Sequence, residues 1–246
     1  MINQIPLKSQ ICMLYFALVE GYRTIQELYA SLLKDLGAYI TTITVCPCCN
    51  NDDMKWAMHS VYERSVTDLV PVMIDGEYCL DEDNNIIFET DPDKCTFPME
   101  IKRIICLNCS KISKARKRTG HTHAVMGPLL IPYSKYSIRF AVYHLHNMYT
   151  SGKTVQEYST ETMLSAYTIK KWIKWLEDAI PQLIALHILP ADFNTCSGDE
   201  QMKKVVEYIY VHFKEFYSAY LSLFNMVLFQ RHVMPPYTRY FPDFEI

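Results

Sequence analysis

Apolar residues recur at helical spacing at both ends of the chain and give way to short β-branched runs between them. Ile11, Leu14, Tyr15, Leu18 and Val19 share one helix face. Ile25, Leu28, Tyr29, Leu32, Leu33 and Leu36 share another, opening after Thr24 and stopping at Gly37. Between 41 and 109 the pattern becomes strand-like, with runs at Tyr39–Val45, Ser60–Val66, Ile86–Phe88 and Ile101–Ile105 separated by Asp, Asn, Gly and Pro turns. Helical spacing returns at Ser134. One helix is predicted from Ser134 to Tyr149 with its stop at Gly152, then two shorter ones between Thr154 and Asp178, then a long last helix from Ser197. Ser197-Gly198-Asp199-Glu200 has capping-box spacing. The stripe that follows (Met202, Val205, Val206, Ile209, Phe213, Phe216, Tyr217, Tyr220, Phe224, Val227 and Leu228) predicts packing along the whole helix. The order of elements predicts an α+β fold. A small β domain, 41–133, is embedded between an N-terminal helical segment, 1–40, and a C-terminal helical region, 134–246.

Composition adds constraints to this outline. Half of the residues are hydrophobic and 21% are charged, with 18 Tyr and only 7 Gly, which points to regular, well-packed structure rather than disorder. The longest apolar runs, Ile11–Val19 and Leu221–Phe229, are about half the length that crosses a bilayer, so no membrane span is expected. Only Lys8 gives the first run a positive flank. Glu20-Gly21-Tyr22-Arg23 follows it without a small-residue cleavage site, which argues against a signal peptide and for a cytoplasmic chain. The 9 cysteines are odd in number, and four of them form two CxxC pairs, a usage that fits a reducing compartment with metal-bound thiolates.

Those pairs are Cys46-Pro47-Cys48-Cys49 and Cys106-Leu107-Asn108-Cys109, each just after a predicted strand. CxxC spacing lets two sulfurs grip one ion from a single tight turn, and two such knuckles complete a closed tetrahedral Zn2+ site. Cys46, Cys49, Cys106 and Cys109 are therefore the expected ligands of a structural zinc ribbon, with no open position for catalysis. Cys48, His121 or His123 are alternative ligands. Cys12, Cys79, Cys95 and Cys196 read as small core hydrophobes. The knuckles are farther apart than the usual 15–20 residues, which an insertion or an elongated hairpin between them explains.

Net charge is -3, so a nucleic-acid role has to rest on a local patch. Asp75, Glu77, Asp81, Glu82, Asp83, Glu89, Asp91 and Asp93 form an acidic segment without a basic residue. Lys102, Arg103, Lys111, Lys114, Arg116, Lys117 and Arg118 follow it. A second basic group lies in Thr154–Asp178, which has the outline of a helix-turn-helix. A first helix covers Val155–Met163 and a turn falls at Leu164-Ser165. In the second helix Ile169, Trp172, Ile173 and Leu176 face inward, while Tyr167, Lys170, Lys171 and Lys174 face outward. An αα-hairpin of a helical bundle has the same periodicity. Lysines supply phosphate attraction, and no Arg, Asn or Gln on that face reads bases, so sequence-specific recognition is not expected.

Three segments carry a family resemblance. They are His59-Ser60-Val61-Tyr62-Glu63-Arg64, Ile101–Cys109, and Thr122-His123-Ala124-Val125-Met126 leading to Leu130-Ile131-Pro132-Tyr133-Ser134-Lys135-Tyr136-Ser137. Together they resemble the bacterial family called domain of unknown function 6431, which pairs a CPxC…CxxC ribbon with a THA…PYxxY segment, often ahead of a helix-turn-helix. The resemblance covers roughly 44–150, with a weaker continuation to 178. It implies kinship with the DNA-contacting N-terminal parts of insertion-sequence transposases, hence a bacterial mobile element. The chain departs from the family pattern in the basic stretch Ser110–Thr119 and in Gly127, which stands where proline is expected.

The leading expectation is thus a non-catalytic zinc-ribbon and helix-turn-helix protein that binds duplex DNA. Lys111, Lys114, Arg116, Lys117 and Arg118 would meet phosphates from one side, and Lys170, Lys171 and Lys174 from another. In this reading the acidic segment orients binding or stands in for DNA within the free protein. An alternative is an interaction module that dimerises through the last helix or docks a partner through Pro235–Pro242. A divergent transposase would need clustered carboxylates holding two metal ions, whereas Asp178, Asp192 and Asp243 are scattered. No GxGxxG, Walker, HExxH or GxSxG motif is present, so an enzyme is not expected.

Overall fold

A computed structural model of the chain describes residues 25–34, 55–80, 82, 87–108, 122–124, 129–131, 134–213, 216–217 and 219–220. The expected helix at Ile11–Val19, the strand at Tyr39–Val45 and the Pro235–Pro242 tail lie outside them. Among the described residues the fold is mixed α+β. No helix there is long and apolar enough to cross a membrane.

The strand-rich middle is a long antiparallel hairpin. β1 (Trp56–Thr67) runs against β6 (Thr96–Cys106), from Trp56 opposite Cys106 at one end to Thr67 opposite Thr96 at the other. A bulge at His59 interrupts the register, and the twist that a bulge adds accompanies a change of phase. The buried positions of β6 are Met99 and Ile101 on one side of it, Ile104 and Cys106 on the other. Within the bulge His59 Nδ1 and Ser60 Oγ are 2.8 Å apart, a local structural contact. β7 (Thr122–Ala124) adds a third strand to β6, giving the order β1-β6-β7. α1 (Ile25–Lys34) is fixed to the sheet by buried Ile25 and by Tyr29, whose hydroxyl accepts the Lys102 backbone N–H at 2.9 Å. Beyond the Thr67–Thr96 end lie two small ladders, β2 (Val70–Pro71) with β5 (Phe88–Glu89) and β3 (Met73–Ile74) with β4 (Glu77–Tyr78). The described residues of the acidic segment, Asp75, Glu77, Glu82, Glu89, Asp91 and Asp93, therefore fall in the connection at the far end of an elongated hairpin.

Among the described residues four helices with defined ranges follow. α2 (Ile138–Ser151) starts on Ser137, whose side chain caps Phe140 N–H, and stops at Gly152 in the left-handed conformation that glycine adopts freely. α3 is Val155–Thr162, α4 is Ala166–Ala185, and α5 (Gly198–Val211) follows a 3-10 turn at Ala191–Thr195. α4 runs seven residues past the expected end at Asp178 and carries Pro181 within it. Burial of Ile180, Leu183 and Ile184 offsets the lost hydrogen bond and the kinking tendency of an interior proline. The capping box is not where the spacing placed it. Ser197 makes no side-chain cap, because Gly198 turns left-handed (φ +60) and Glu200 pairs with Lys204 instead. A complete box forms at Thr154 and Glu157. Of the described part of the last stripe, Met202, Val205, Val206, Ile209, Phe216, Tyr217 and Tyr220 are buried in the protein's own core and Phe213 is half-buried against it.

Sheet and helices share one hydrophobic core, and a polar pin joins them. Asp68, the first residue after β1, is buried. Its carboxylate accepts hydrogen bonds from Ser137 Oγ and from Nε (3.3 Å) and Nη2 of Arg139, both at the start of α2. Backbone bonds flank the pin, from Thr67 N–H to Lys135 C=O (2.7 Å) and from Ser137 N–H to Thr67 C=O (2.9 Å). Thr67 and Thr96 hydroxyls meet at 2.6 Å across the end of the ladder.

Deeper in α2, His144 is buried beside Phe140 and Tyr143, with Nδ1 2.9 Å from the Tyr158 hydroxyl. Its Nε2 has no hydrogen-bond partner among the described residues. Burial lowers its pKa from 6.5 to about 4, and the Thr90 backbone only partly opposes the shift. The unfolded chain therefore takes up this proton first as pH falls, so stability present above pH 6.5 is lost on the way to pH 4. The expected loss is about 2 kcal/mol between pH 7 and pH 5. Urea melts across that range check it: His144→Phe should flatten the decline, whereas an equal slope in the variant would rule His144 out as its source.

Candidate metal centre and nucleic-acid interface

Of the four expected zinc ligands, Cys106 is the one among the described residues. It is the last residue of β6, opposite Trp56, and buried at the foot of the hairpin. Leu107 N–H bonds Lys55 C=O at 2.9 Å, and the backbone turns helically at Leu107–Asn108. Cys46, Cys48, Cys49 and Cys109 lie outside the described residues, as do His121 and the side chain of His123. Among the described residues no three metal-ligating groups converge.

The remaining cysteines divide by environment. Cys95 is buried and its Sγ donates to Asp91 C=O at 2.9 Å. Burial, together with the Glu89 and Asp68 carboxylates, pushes its pKa up to about 12, so it stays a neutral core thiol. Cys79 is half-buried. Cys196, also half-buried, departs from the core-hydrophobe reading. Lys204 Nζ donates to its Sγ at 2.9 Å, and Glu200 lies 3.5 Å from the same sulfur. The spacing i, i+4, i+8 was the sequence signal for this group. His144 and His146 point away from each other, the first into the core and the second to Glu207 at 2.7 Å, in keeping with their i, i+2 spacing.

The sheet also fixes where the basic stretch is rooted. β7 pairs Thr122 with Ile105, Ile104 with His123 and Arg103 with Ala124, so the chain leaves β6 after Cys106 and returns beside it at Thr122. Lys111, Lys114, Arg116, Lys117 and Arg118 lie between those two roots, outside the described residues.

The second basic group is visible in full. α3 ends on Met163 in the left-handed region (φ 58), which reverses the chain without glycine. Leu164 then plugs the core and α4 begins at Ala166. Buried Ile169, Trp172 and Leu176 and half-buried Ile173 hold α4 down, with Trp172 edge-on to Tyr136 at 5.4 Å. On the opposite face Tyr167 is 71% exposed and Lys170, Lys171 and Lys174 are exposed beside it. Lys174 is engaged by Asp178 at 2.7 Å. Glu177, on the same helix, also acts on Lys174 electrostatically, and the two glutamates of α3 are occupied, Glu157 by its cap and Glu161 by Lys153.

Compared with protein-family models, with curated proteins and with solved structures, the chain matches none of them.

Proposed function

We propose that this protein binds duplex DNA without catalysing a reaction, using α4 as its helix-turn-helix recognition element and a zinc ribbon as a second contact. The observation that carries the reading is the two-sided character of α4. Ile169, Trp172 and Leu176 anchor one side, and Tyr167, Lys170 and Lys171 stand free of the core on the other. A helix held this way offers cations to phosphates without costing the fold anything. Lys174, tied to Asp178, contributes once DNA displaces that partner. The ribbon reading rests on Cys106 and on chain length. Cys109 is three residues from Cys106, and Cys49 is six from Lys55 at the same foot of the sheet. At about 3.5 Å per residue both lie within roughly 20 Å of it. In that reading zinc supplies a closed cross-link at the foot, and Cys46, Cys49, Cys106 and Cys109 hold it. Kinship with the domain of unknown function 6431 family, and with it a bacterial mobile element and a cytoplasmic setting, rests on the sequence segments quoted above.

Gel shifts with mixed duplexes at about 50 mM salt, where phosphate contacts are strongest, test the function. Lys170→Ala/Lys171→Ala should weaken binding at least about tenfold and reduce the salt slope by about 2. Wild-type affinity and slope in the double variant would remove α4 from the interface. For the ribbon, elemental analysis of the purified chain should find one zinc per molecule. Cys106→Ser should release that zinc and lower the melting temperature, because structural zinc contributes folding energy directly. A variant that keeps both metal and melting temperature would overturn the ligand assignment.

A further inference from the structure

The charge on the free face of α4 is uneven along its length. Tyr167, Lys170, Lys171 and Lys174 follow one another at i, i+3, i+4 and i+7 and so form a single exposed stripe. Toward its C-terminal end Lys174 is taken by Asp178 at 2.7 Å, and exposed Glu177 acts on the same ammonium. Toward its N-terminal end Lys170 and Lys171 have no ion pair among the described residues. The first turn of α4 holds no acidic residue either. A polyanion is therefore drawn to the N-terminal half of the helix.

That same end carries the two most exposed large apolar side chains among the described residues. Tyr167 is 71% exposed, and Met163, on the reversal that leads into α4, is 78% exposed. Their neighbours Leu164 and Ile169 are buried, so the core takes its share of this segment and leaves these two out. Tyr167 lies one turn, about 5 Å, nearer the helix start than Lys170 and Lys171. A recognition helix enters the major groove, about 8.5 Å deep, with its N-terminal residues toward the base edges. A helix whose Lys170 and Lys171 meet phosphates along the groove thus carries Tyr167 to the bases. The stripe holds no Arg, Asn or Gln to hydrogen-bond a base, and the apolar group that base edges present in this groove is the thymine C5 methyl. We propose that, with α4 contacting DNA as in the function proposed above, the Tyr167 ring packs on thymine methyl groups in the major groove. Binding then favours A·T pairs through an apolar contact rather than a hydrogen bond.

Titration of the full chain with a short alternating A·T duplex, and with the same duplex carrying deoxyuridine for thymidine, tests this at about 50 mM salt. Uracil pairs as thymine does and lacks the methyl group. The wild type should bind the uracil duplex about fourfold more weakly for each methyl that Tyr167 touches. Tyr167→Phe should keep that ratio. Tyr167→Ala, a surface change, should bind the two duplexes equally and keep its melting temperature. Equal binding of both duplexes by the wild type would overturn the proposal and leave the DNA function standing. A ratio that survives in Tyr167→Ala would overturn it too, by assigning the preference to duplex shape. So would a ratio lost in Tyr167→Phe, the mark of a contact through the hydroxyl. A wild type that binds neither duplex removes the DNA function itself and this contact with it.

Discussion

A single buried carboxylate holds the two halves of this molecule in register. Asp68 sits where β1 leaves the sheet, and its oxygens are taken by Ser137 and Arg139, the cap and second residue of α2. A buried charge is tolerated when its hydrogen bonds are met, and taking away one partner of such a pair costs about 3–5 kcal/mol. Ser137 serves two elements at once, because the same hydroxyl that donates to Asp68 accepts Phe140 N–H and so starts the helix. The hairpin and the helices thus share a fixed point, and the core formed by Val66, Met99, Ile101, Phe140 and Trp172 packs around it.

From that point the charge distribution of the molecule follows. The hairpin carries carboxylates out beyond its head, and it roots the basic stretch at its foot. α4, seated on Trp172 against Tyr136, presents Lys170 and Lys171 on a face of its own. A net charge of -3 hides this separation entirely. Local charge, not the total, decides what a polyanion meets on approach.

Much of the fold was legible wherever one periodicity dominated. The inward and outward positions of α4 follow directly from a period of 3.6, and Ser60–Val66 and Ile101–Ile105 fall within the two long strands. The cap at Gly152 was readable because glycine alone adopts that backbone freely. Contacts across long sequence separation were not readable. Asp68 and Arg139 are 71 positions apart, and nothing in either neighbourhood marks them as a pair. Local signals also misled where a stronger interaction competed. Glu200 had the spacing of a capping box and went to Lys204, and α4 runs past its expected end at Asp178, through Pro181, because its far side is buried. Of the zinc site, the spacing names four ligands and the structure places Cys106 at the foot of the hairpin.

The central claim is that the exposed lysines of α4 meet DNA, and a lysine-modification footprint read by mass spectrometry tests it most directly. The chain is acetylated with and without a mixed duplex at about 50 mM salt, where phosphate contacts are strong. Lys170 and Lys171 should lose reactivity when the duplex is added, while Lys94, held by Glu89 and Asp91 on the hairpin, should not change. Equal reactivity of Lys170 and Lys171 with and without duplex, under conditions where the complex forms, would contradict the account.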